Sequence, residues 1–228
     1  MLDAGTRSNL SVVLTPRIFA ALAFAALLTA PLGAQIIHVP SPSSSSRPIT
    51  ATLSFGFLQS QSRVDGQSGT FWNLGEAIQY RATVDVGLRS GGLGLTGSIA
   101  SLPISRTGGA VPLGSDGEIQ LRQLLATFRT REMQGAHQII EVGLGLAQWA
   151  NYSGTDVLSA DEQKTRNALA LSIGYGIGFT LGDRAALFVI QDAATLWGSG
   201  EGLSAGQSRQ VQQYTTRVGF RLRVTGSR

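Results

Sequence analysis

The chain contains no cysteine, a single lysine and two histidines. Without cysteine it can form neither a disulfide nor a thiolate metal site, and it cannot carry a lipid on an N-terminal cysteine. Lys164 is the one lysine among 18 basic residues, whereas a large solvated surface is usually rich in lysine. The net charge of +4 forms no basic run with interleaved aromatic residues, so nucleic-acid binding is not expected.

Long apolar runs are also missing, because no segment has the 18 or so uninterrupted apolar residues of a membrane-spanning helix. The apolar stretch at residues 18–30 is too short to span a bilayer. It follows Arg7 and Arg17 and precedes small residues that end at Ala34, which is the pattern of a cleaved secretory signal. We therefore interpret residues 1–34 as a signal peptide rather than an anchor.

The rest of the chain divides into a linker and one domain. Residues 35–48 include a Pro/Ser-rich run that cannot bury a core, and they are predicted to form a periplasmic linker. Residues 49–228 are predicted to form one folded domain.

This domain contains eight segments in which apolar residues recur at every second position, as expected for strands with one apolar wall and one small or polar wall. The connections between them alternate between long and short. Up-and-down barrels of the bacterial outer membrane have this layout, with short periplasmic turns and long extracellular loops. The loops at 59–75 and 149–167 are long enough to hold extra strands, so ten strands is an alternative. The predicted strands are 50–58, 77–88, 92–100, 118–130, 138–148, 168–181, 185–191 and 211–224.

Two kinds of barrel fit this alternation. In a soluble lipocalin-like barrel the apolar wall would face inward and bind an apolar ligand, whereas in a membrane barrel it faces lipid. The polar wall of segment 168–181 consists mainly of Gly, Ala and Ser, which is a poor water-facing surface but fits a narrow lumen. The pattern therefore favours a transmembrane barrel. The segment 118–130 changes phase between Leu121 and Leu124, which indicates either a bulge or a wrong strand boundary.

The three tryptophans support a membrane orientation. If the mature N-terminus is periplasmic, Trp72, Trp149 and Trp197 all lie at or beyond the outer rim. Aromatic girdles of membrane barrels lie at such rims. These residues are therefore predicted to form the outer girdle.

By its layout the domain resembles the small eight-stranded outer-membrane barrels of the OmpA/OmpX type. Proteins handled by the barrel-assembly machinery carry a last-strand pattern of a polar residue, a glycine and two hydrophobic residues, which is matched by Arg217, Gly219, Leu222 and Val224. The chain departs from the family because it does not end on an aromatic residue. The resemblance implies an eight-stranded antiparallel up-and-down β-barrel, with outer-membrane lipids and the assembly machinery of a Gram-negative cell as partners.

Several charged residues fall on the predicted lumen face. An interior this narrow is filled by side chains or by one small ligand, and buried charges must be paired. A salt-bridged plug that fills space is therefore expected, rather than a conduction or binding site. The predicted network comprises Arg81, Asp85, Arg122, Glu141, Arg217, Arg221 and Arg223.

Catalytic and cofactor patterns are weak. His38 lies at the linker and His137 at a short turn, so neither lies at the outer half of the barrel, where barrel enzymes place a histidine. His137 is expected to be a solvated turn residue. Residues 92–97 match GxGxxG but lie in a predicted strand, and the acidic residues Asp156, Asp161 and Glu162 lack calcium-loop spacing. No cofactor or metal is predicted.

The sequence thus predicts a non-catalytic outer-membrane barrel with a structural or surface-interaction role. A narrow passive transport or small-ligand-binding barrel is an alternative, and a soluble lipocalin-like periplasmic barrel is another. No obvious polar break interrupts the predicted lipid-facing wall, so the pattern does not indicate an oligomer. No feature names an extracellular ligand.

Overall fold

The computed structural model describes residues 47–61, 63–65, 70–107, 117–154, 165–198 and 210–225, with only the backbone for 63–65, 70–72 and 106–107. The predicted signal peptide and most of the linker lie outside this range. None of the described residues belongs to a helix long and apolar enough to cross a membrane. The strands are β1 (Ile49–Ser60), β2 (Arg63–Asp65), β3 (Thr70–Leu74), β4 (Ala77–Gly87), β5 (Gly91–Thr107), β6 (Gly117–Thr130), β7 (Ala136–Gly154), β8 (Arg166–Leu181), β9 (Ala185–Gly198) and β10 (Gln210–Thr225).

Eight of these strands close into an antiparallel barrel. β1 pairs with β4, β4 with β5, β5 with β6, and each later strand with the next one in the chain. The ring closes where β10 returns to β1, from Thr225 opposite Ile49 to Gln213 opposite Ser60. Closure satisfies the hydrogen-bonding groups that an open sheet leaves exposed at its edges. The predicted eight-stranded up-and-down barrel is confirmed.

The remaining two strands form a hairpin in the long connection between β1 and β4. β3 pairs with the end of β5, from Leu74 opposite Ile104 to Phe71 opposite Thr107. The hairpin extends the sheet from the end of β5 and does not enter the ring. The loop thus holds extra strands, yet the barrel itself has eight.

Short turns connect strands at one rim, at residues 88–90, 131–135 and 182–184. Gly135 and Gly182 have φ angles of 76° and 65°, a region that glycine enters without a Cβ clash. These turns occupy the three positions at which the sequence predicts short connections. Strand lengths differ more from expectation, since β5 and β7 extend towards the opposite rim and β9 continues to Gly198.

The two faces of each strand differ as the alternation predicts, with the apolar wall outside. On β1, Leu53 is 69% exposed while its neighbours Thr52 and Ser54 are buried. β4 shows the same pattern, with Tyr80 and Val84 exposed. An outer wall of exposed large apolar side chains suits lipid contact. The arrangement is opposite to that of a lipocalin-like barrel, in which the apolar wall faces inward.

The predicted bulge on β6 is wrong in position. From Leu121 to Arg129 this strand alternates regularly between buried and exposed residues. The pairing of β6 with β7 shifts instead between Glu118 and Gln120. In the facing part of β7, Asn151 has a φ of 53°. Leu121 and Leu125 consequently face the interior, and Arg122 faces outward.

Candidate functional site: the filled barrel interior

Glu141 of β7 lies at the centre of the barrel's largest group of buried charges. Its Oε1 accepts hydrogen bonds from Arg81 Nη2 at 2.6 Å and from Arg217 Nη2 at 2.8 Å. Its Oε2 accepts two from Arg129, from Nε at 2.9 Å and from Nη2 at 2.6 Å. One carboxylate thus joins guanidinium groups from three other strands, β4, β6 and β10.

A second carboxylate completes this group. Asp192 of β9 accepts from Arg217 Nε at 2.5 Å, and Arg81 Nη1 lies 3.6 Å from its Oδ2. All these side chains are buried, and Arg217 is 1% exposed. Such charges are tolerated inside a protein because hydrogen bonds and opposite charges offset their desolvation. We call Arg81, Arg129, Glu141, Asp192 and Arg217 the central charge cluster.

An aromatic ring supports two of these arginines. The guanidinium carbons of Arg129 and Arg217 lie 5.1 Å and 5.4 Å from the ring centroid of Phe188. Both distances allow cation–π attraction. The buried ring also adjoins Gly219, where an added Cβ would lie 2.2 Å from Phe188 Cζ. Gly219 therefore provides the room that the ring occupies.

A separate rim charge cluster lies nearer the short turns and comprises Thr50, Asp85, Glu132 and Arg221. Arg221 pairs with Asp85 through Nη2 and with Glu132 Oε1 through Nη1, the latter at 2.6 Å. Its Nη2 also donates to Thr50 Oγ1 at 2.9 Å. Thr50 donates in turn to Asp85 Oδ1 at 2.5 Å. Because Glu132 belongs to the turn between β6 and β7, this cluster joins the turn to the barrel wall.

Uncharged polar side chains form a further group inside the barrel. Ser98 donates to Gln123 Oε1 at 3.1 Å, and Gln123 Nε2 donates to Gln213 Oε1 at 3.2 Å. Gln79 Nε2 lies 3.3 Å from Ser98 Oγ. These amide and hydroxyl contacts link β4, β5, β6 and β10 across the interior.

An apolar layer fills the interior near the long-loop rim. Leu58, Leu102, Leu121 and Leu196 are each 0% exposed and come from four different strands. Packing of this kind excludes water as a protein core does. The buried members of the layer are Leu58, Ala77, Ala100, Leu102, Leu121, Leu125, Ala147, Trp149, Ala168, Ala170, Leu196 and Val211.

The predicted charge network is divided by the structure. Arg81, Glu141 and Arg217 lie in the central charge cluster, while Asp85 and Arg221 lie in the rim charge cluster. Arg223 of β10 contacts the turn between β8 and β9, where its Nη1 donates to the Asp183 carbonyl at 3.0 Å.

The prediction that Arg122 lies on the lumen face is wrong. This side chain is exposed on the outer face and donates from Nε to Gln120 Oε1 at 2.8 Å. The prediction of Arg122 on the lumen face requires Leu121 to face lipid, but Leu121 belongs to the interior apolar layer. The neighbouring Arg122 is therefore turned outward, since successive side chains point to opposite faces.

Three charged residues of the interior were missed. Arg129 follows the outward Phe128, and this alternation could have indicated its direction. Asp192 lies just beyond the predicted end of its strand, and Glu132 lies in a turn, so the strand pattern gave no signal for either.

The predicted girdle is also corrected in part. Trp149 is 7% exposed and belongs to the apolar layer, because on β7 it has the same parity as the inward Glu141. Trp197 is exposed on the outer wall, at the long-loop end of β9. Trp72 lies in β3, and its side chain is outside the described part of the chain.

His137 is buried rather than solvated, with a relative exposure of 4%. One ring nitrogen, Nδ1, lies 3.0 Å from the Gly135 carbonyl oxygen. The ring also covers Gly178, where an added Cβ would lie 2.7 Å from His137 Nε2. These contacts give His137 a packing role at the short-turn end of the barrel. Asp156, Asp161 and Glu162 lie outside the described residues.

No family model and no curated protein match this chain. Solved structures with a similar fold include Neisserial surface protein A, at 9% identity over 79% of this chain and 99% of that chain, with a TM-score of 0.48. OprG from Pseudomonas aeruginosa has 14% identity over 79% and 98%, with a TM-score of 0.45. Ail, the attachment invasion locus protein of Yersinia pestis, has 16% identity over 76% and 98%, with a TM-score of 0.40.

The fold itself is established by the strand pairing, which closes eight antiparallel strands into a barrel with large apolar side chains on the outside. At these identities and TM-scores the likeness assigns neither a family nor an activity to this chain. What the interior can do follows from its own contacts, which pair charges, connect amides and pack apolar side chains. These contacts hold the strands in register and fill space.

Proposed function

We propose that this protein is a non-catalytic outer-membrane β-barrel with a side-chain-plugged interior and a structural or surface-interaction role. The observation that carries the proposal is the central charge cluster, in which Glu141 joins three arginines from three other strands. Removing the carboxylate would leave buried positive charges facing one another, which is costly. The cluster is therefore suited to stability rather than to transport.

The apolar layer supports the same proposal independently. An ion passing along the lumen would have to separate the paired charges and then cross a region lined by Leu102, Leu121 and Trp149. Each step is unfavourable, and the two groups are built from different side chains. We therefore expect very low conductance.

Passive transport past the glycine-rich inner face of β8 is not favoured. A Cβ added to Gly174 would lie 2.2 Å from Asp192 Oδ1, and one added to Gly178 would meet His137. Side chains of β7 and β9 thus occupy the space that these glycines leave. The glycine row makes room for packing and provides no open path.

The proposed location and biogenesis rest on sequence features together with the outer wall. Residues 1–34 would direct export and be removed, residues 35–48 would lie in the periplasm, and residues 49–228 would insert as the barrel. Outer-membrane lipids would contact the apolar wall. The barrel-assembly machinery would read Arg217, Gly219, Leu222 and Val224 in β10. Long connections would face the cell exterior, where loops commonly carry recognition.

Electrophoresis of the urea-washed outer-membrane fraction, with and without boiling, tests the fold and location together. We expect a band that resists urea extraction and changes mobility on heating, because a closed barrel stays folded in detergent until it is heated. Release into the soluble periplasm without a heat shift would overturn the proposal. Planar-bilayer recording of the purified, unheated protein then tests the plug, and a steady open conductance would contradict it.

The absence of cysteine allows a clean test of orientation. Ser153 lies at the long-loop end of β7, and Arg89 lies in the short turn between β4 and β5, both exposed. Intact cells carrying S153C or R89C would be treated with a membrane-impermeant maleimide. We expect labelling of S153C alone in intact cells, and labelling of both after lysis. Labelling of R89C but not S153C in intact cells would mean the opposite orientation.

A further inference from the structure

A polar pair interrupts the outer wall between β9 and β10. Thr216 Oγ1 donates to Gln191 Oε1 at 2.5 Å, and both side chains are exposed. The residues directly beside this pair in the sheet are Tyr175 on β8 and Phe57 on β1. Most of the outer wall around the pair is apolar. Within the described part of the chain, the Gln191 side chain makes this one hydrogen bond. It uses the amide oxygen and leaves the two N–H donors of Nε2 without a partner among the described residues.

The strand register gives the depth of this pair. Gln191 lies opposite Tyr175, the middle position of the seven outward residues of β8 from Leu169 to Leu181. Trp197, opposite Leu169, lies six residues further along β9. That separation is about 20 Å along the strand, or about 15 Å along the membrane normal at a tilt of about 40°. With Trp197 at the headgroup level, Gln191 lies near the middle of the ~25 Å apolar band.

A primary amide at this depth is unfavourable when it faces lipid alone, because hydrocarbon offers no partner for its N–H groups. The outward positions that follow on β9 are Ala193 and Thr195, which are small and partly buried. On β8 beside them, Ile173 and Leu171 are exposed and larger. Small residues next to a polar one allow close approach of a second surface in the membrane.

We propose that the outer face of β9 and β10 around Gln191 and Thr216 is the contact surface for a second copy of this chain. A primary amide has both donors and an acceptor, so two copies of Gln191 can pair across a two-fold axis. A two-fold contact uses the same patch on both subunits, so the patch must be complementary to itself. A primary amide meets this requirement. A carboxylate or a guanidinium in the same place would repel its copy.

This inference rests on the proposed membrane location but adds an assembly that the location does not require. The strand pattern did not indicate this contact, because the predicted strand ended at Gln191, which placed this residue at a rim. The structure continues β9 to Gly198, which moves Gln191 into the middle of the wall.

Disulfide cross-linking in outer membranes tests the contact, using the full chain, which has no native cysteine. A193C lies beside the proposed axis, and A82C on the outer face of β4 is its matched control. Under mild oxidation we expect a reducible dimer for A193C and at least about tenfold less for A82C. The same membranes are examined for the heat-induced mobility shift. Equal dimer yields at both positions, or no dimer at A193C in protein that shows the shift, would overturn the dimer while leaving the barrel intact.

A second variant tests the amide itself. Gln191→Leu replaces a polar side chain with an apolar one of similar size on the lipid-facing wall, so folding should be unaffected. In the A193C background we expect it to reduce dimer yield about tenfold, in line with the modest strength of polar contacts in membranes. Val189→Leu, on the same face of β9, is the control and should leave the yield unchanged. Undiminished cross-linking in Gln191→Leu would refute the role of the amide pair.

Discussion

The ring of Phe188 fills the space beside Gly219 on the neighbouring strand, where an added Cβ would lie 2.2 Å from the ring's Cζ. Ser54 encloses the same position from β1, since its Cβ would lie 2.7 Å from the added atom. Gly219 thus has a packing reason to be glycine that is separate from the predicted assembly signal of β10.

Gly219→Ala should destabilise the barrel by about 1–3 kcal/mol, the usual cost of overpacking a filled interior. Gly97→Ala is a matched control, because an added Cβ there meets nothing within 4 Å. Urea unfolding of the purified protein in detergent micelles measures both. The double variant Gly219→Ala with Phe188→Leu should recover part of the loss if packing is the cause. If the double variant recovers neither the stability nor the amount of folded barrel in the membrane, a role of Gly219 in the predicted assembly signal would be favoured instead.

Arg122 and Arg129 provide a test of strand direction on β6. Arg129→Leu should cost about 1.5–3 kcal/mol, because it removes two hydrogen bonds to the buried Glu141 carboxylate. Arg122→Leu should leave stability unchanged within about 0.5 kcal/mol, since Arg122 is exposed on the outer face. Unfolding midpoints of the two variants compare the same substitution on opposite walls. A larger loss for Arg122→Leu would reverse our assignment of the two faces.

The residues of β6 also show which features the alternation pattern can predict and which it cannot. Period-2 alternation predicted the eight strands and three short turns because large apolar side chains are concentrated on the outer wall of the strands. It failed where that rule has a local exception. Leu121 and Leu125 are apolar yet face inward, because the interior of this barrel has its own apolar layer. The phase of β6 at Leu121 was therefore misread, which assigned Arg122 to the lumen.

Strand ends were harder to predict for a different reason. Beyond Gln191 the alternation of β9 weakens through Asp192, Ala193 and Ala194, although backbone pairing with β10 continues. Pairing depends on the neighbouring strand, so it cannot be predicted from the residue pattern of one strand alone. The prediction therefore missed Asp192, which is a member of the central charge cluster.

Trp149 and Trp197 should differ in their contact with lipid. Variants that keep a single tryptophan, with the other two changed to phenylalanine, would be reconstituted in bilayers containing brominated acyl chains. We expect strong fluorescence quenching of Trp197, which is exposed on the outer wall, and weak quenching of Trp149, which lies in the apolar layer. The Trp149 emission should also be insensitive to aqueous quenchers. Equal lipid quenching of both would place Trp149 in the girdle after all.

The central charge cluster and the apolar layer are separate groups of side chains, and this predicts a separation between stability and permeability. Glu141→Ala should cost about 3–5 kcal/mol, because it leaves Arg81, Arg129 and Arg217 close together without the carboxylate that joins them. Glu118→Ala, at an exposed position near the long-loop end of β6, is the control and should change stability little. Urea midpoints in micelles measure this difference.

The conductance of Glu141→Ala should nevertheless remain close to that of the unmodified protein. The apolar layer around Leu102 and Leu121 does not depend on the carboxylate, and it still opposes the passage of ions. Opening should require both changes, so Glu141→Ala combined with Trp149→Ala should conduct more than either single variant in planar bilayers. A Glu141→Ala protein with a normal unfolding midpoint and a new open conductance would mean that the charge cluster is a gate rather than a structural support.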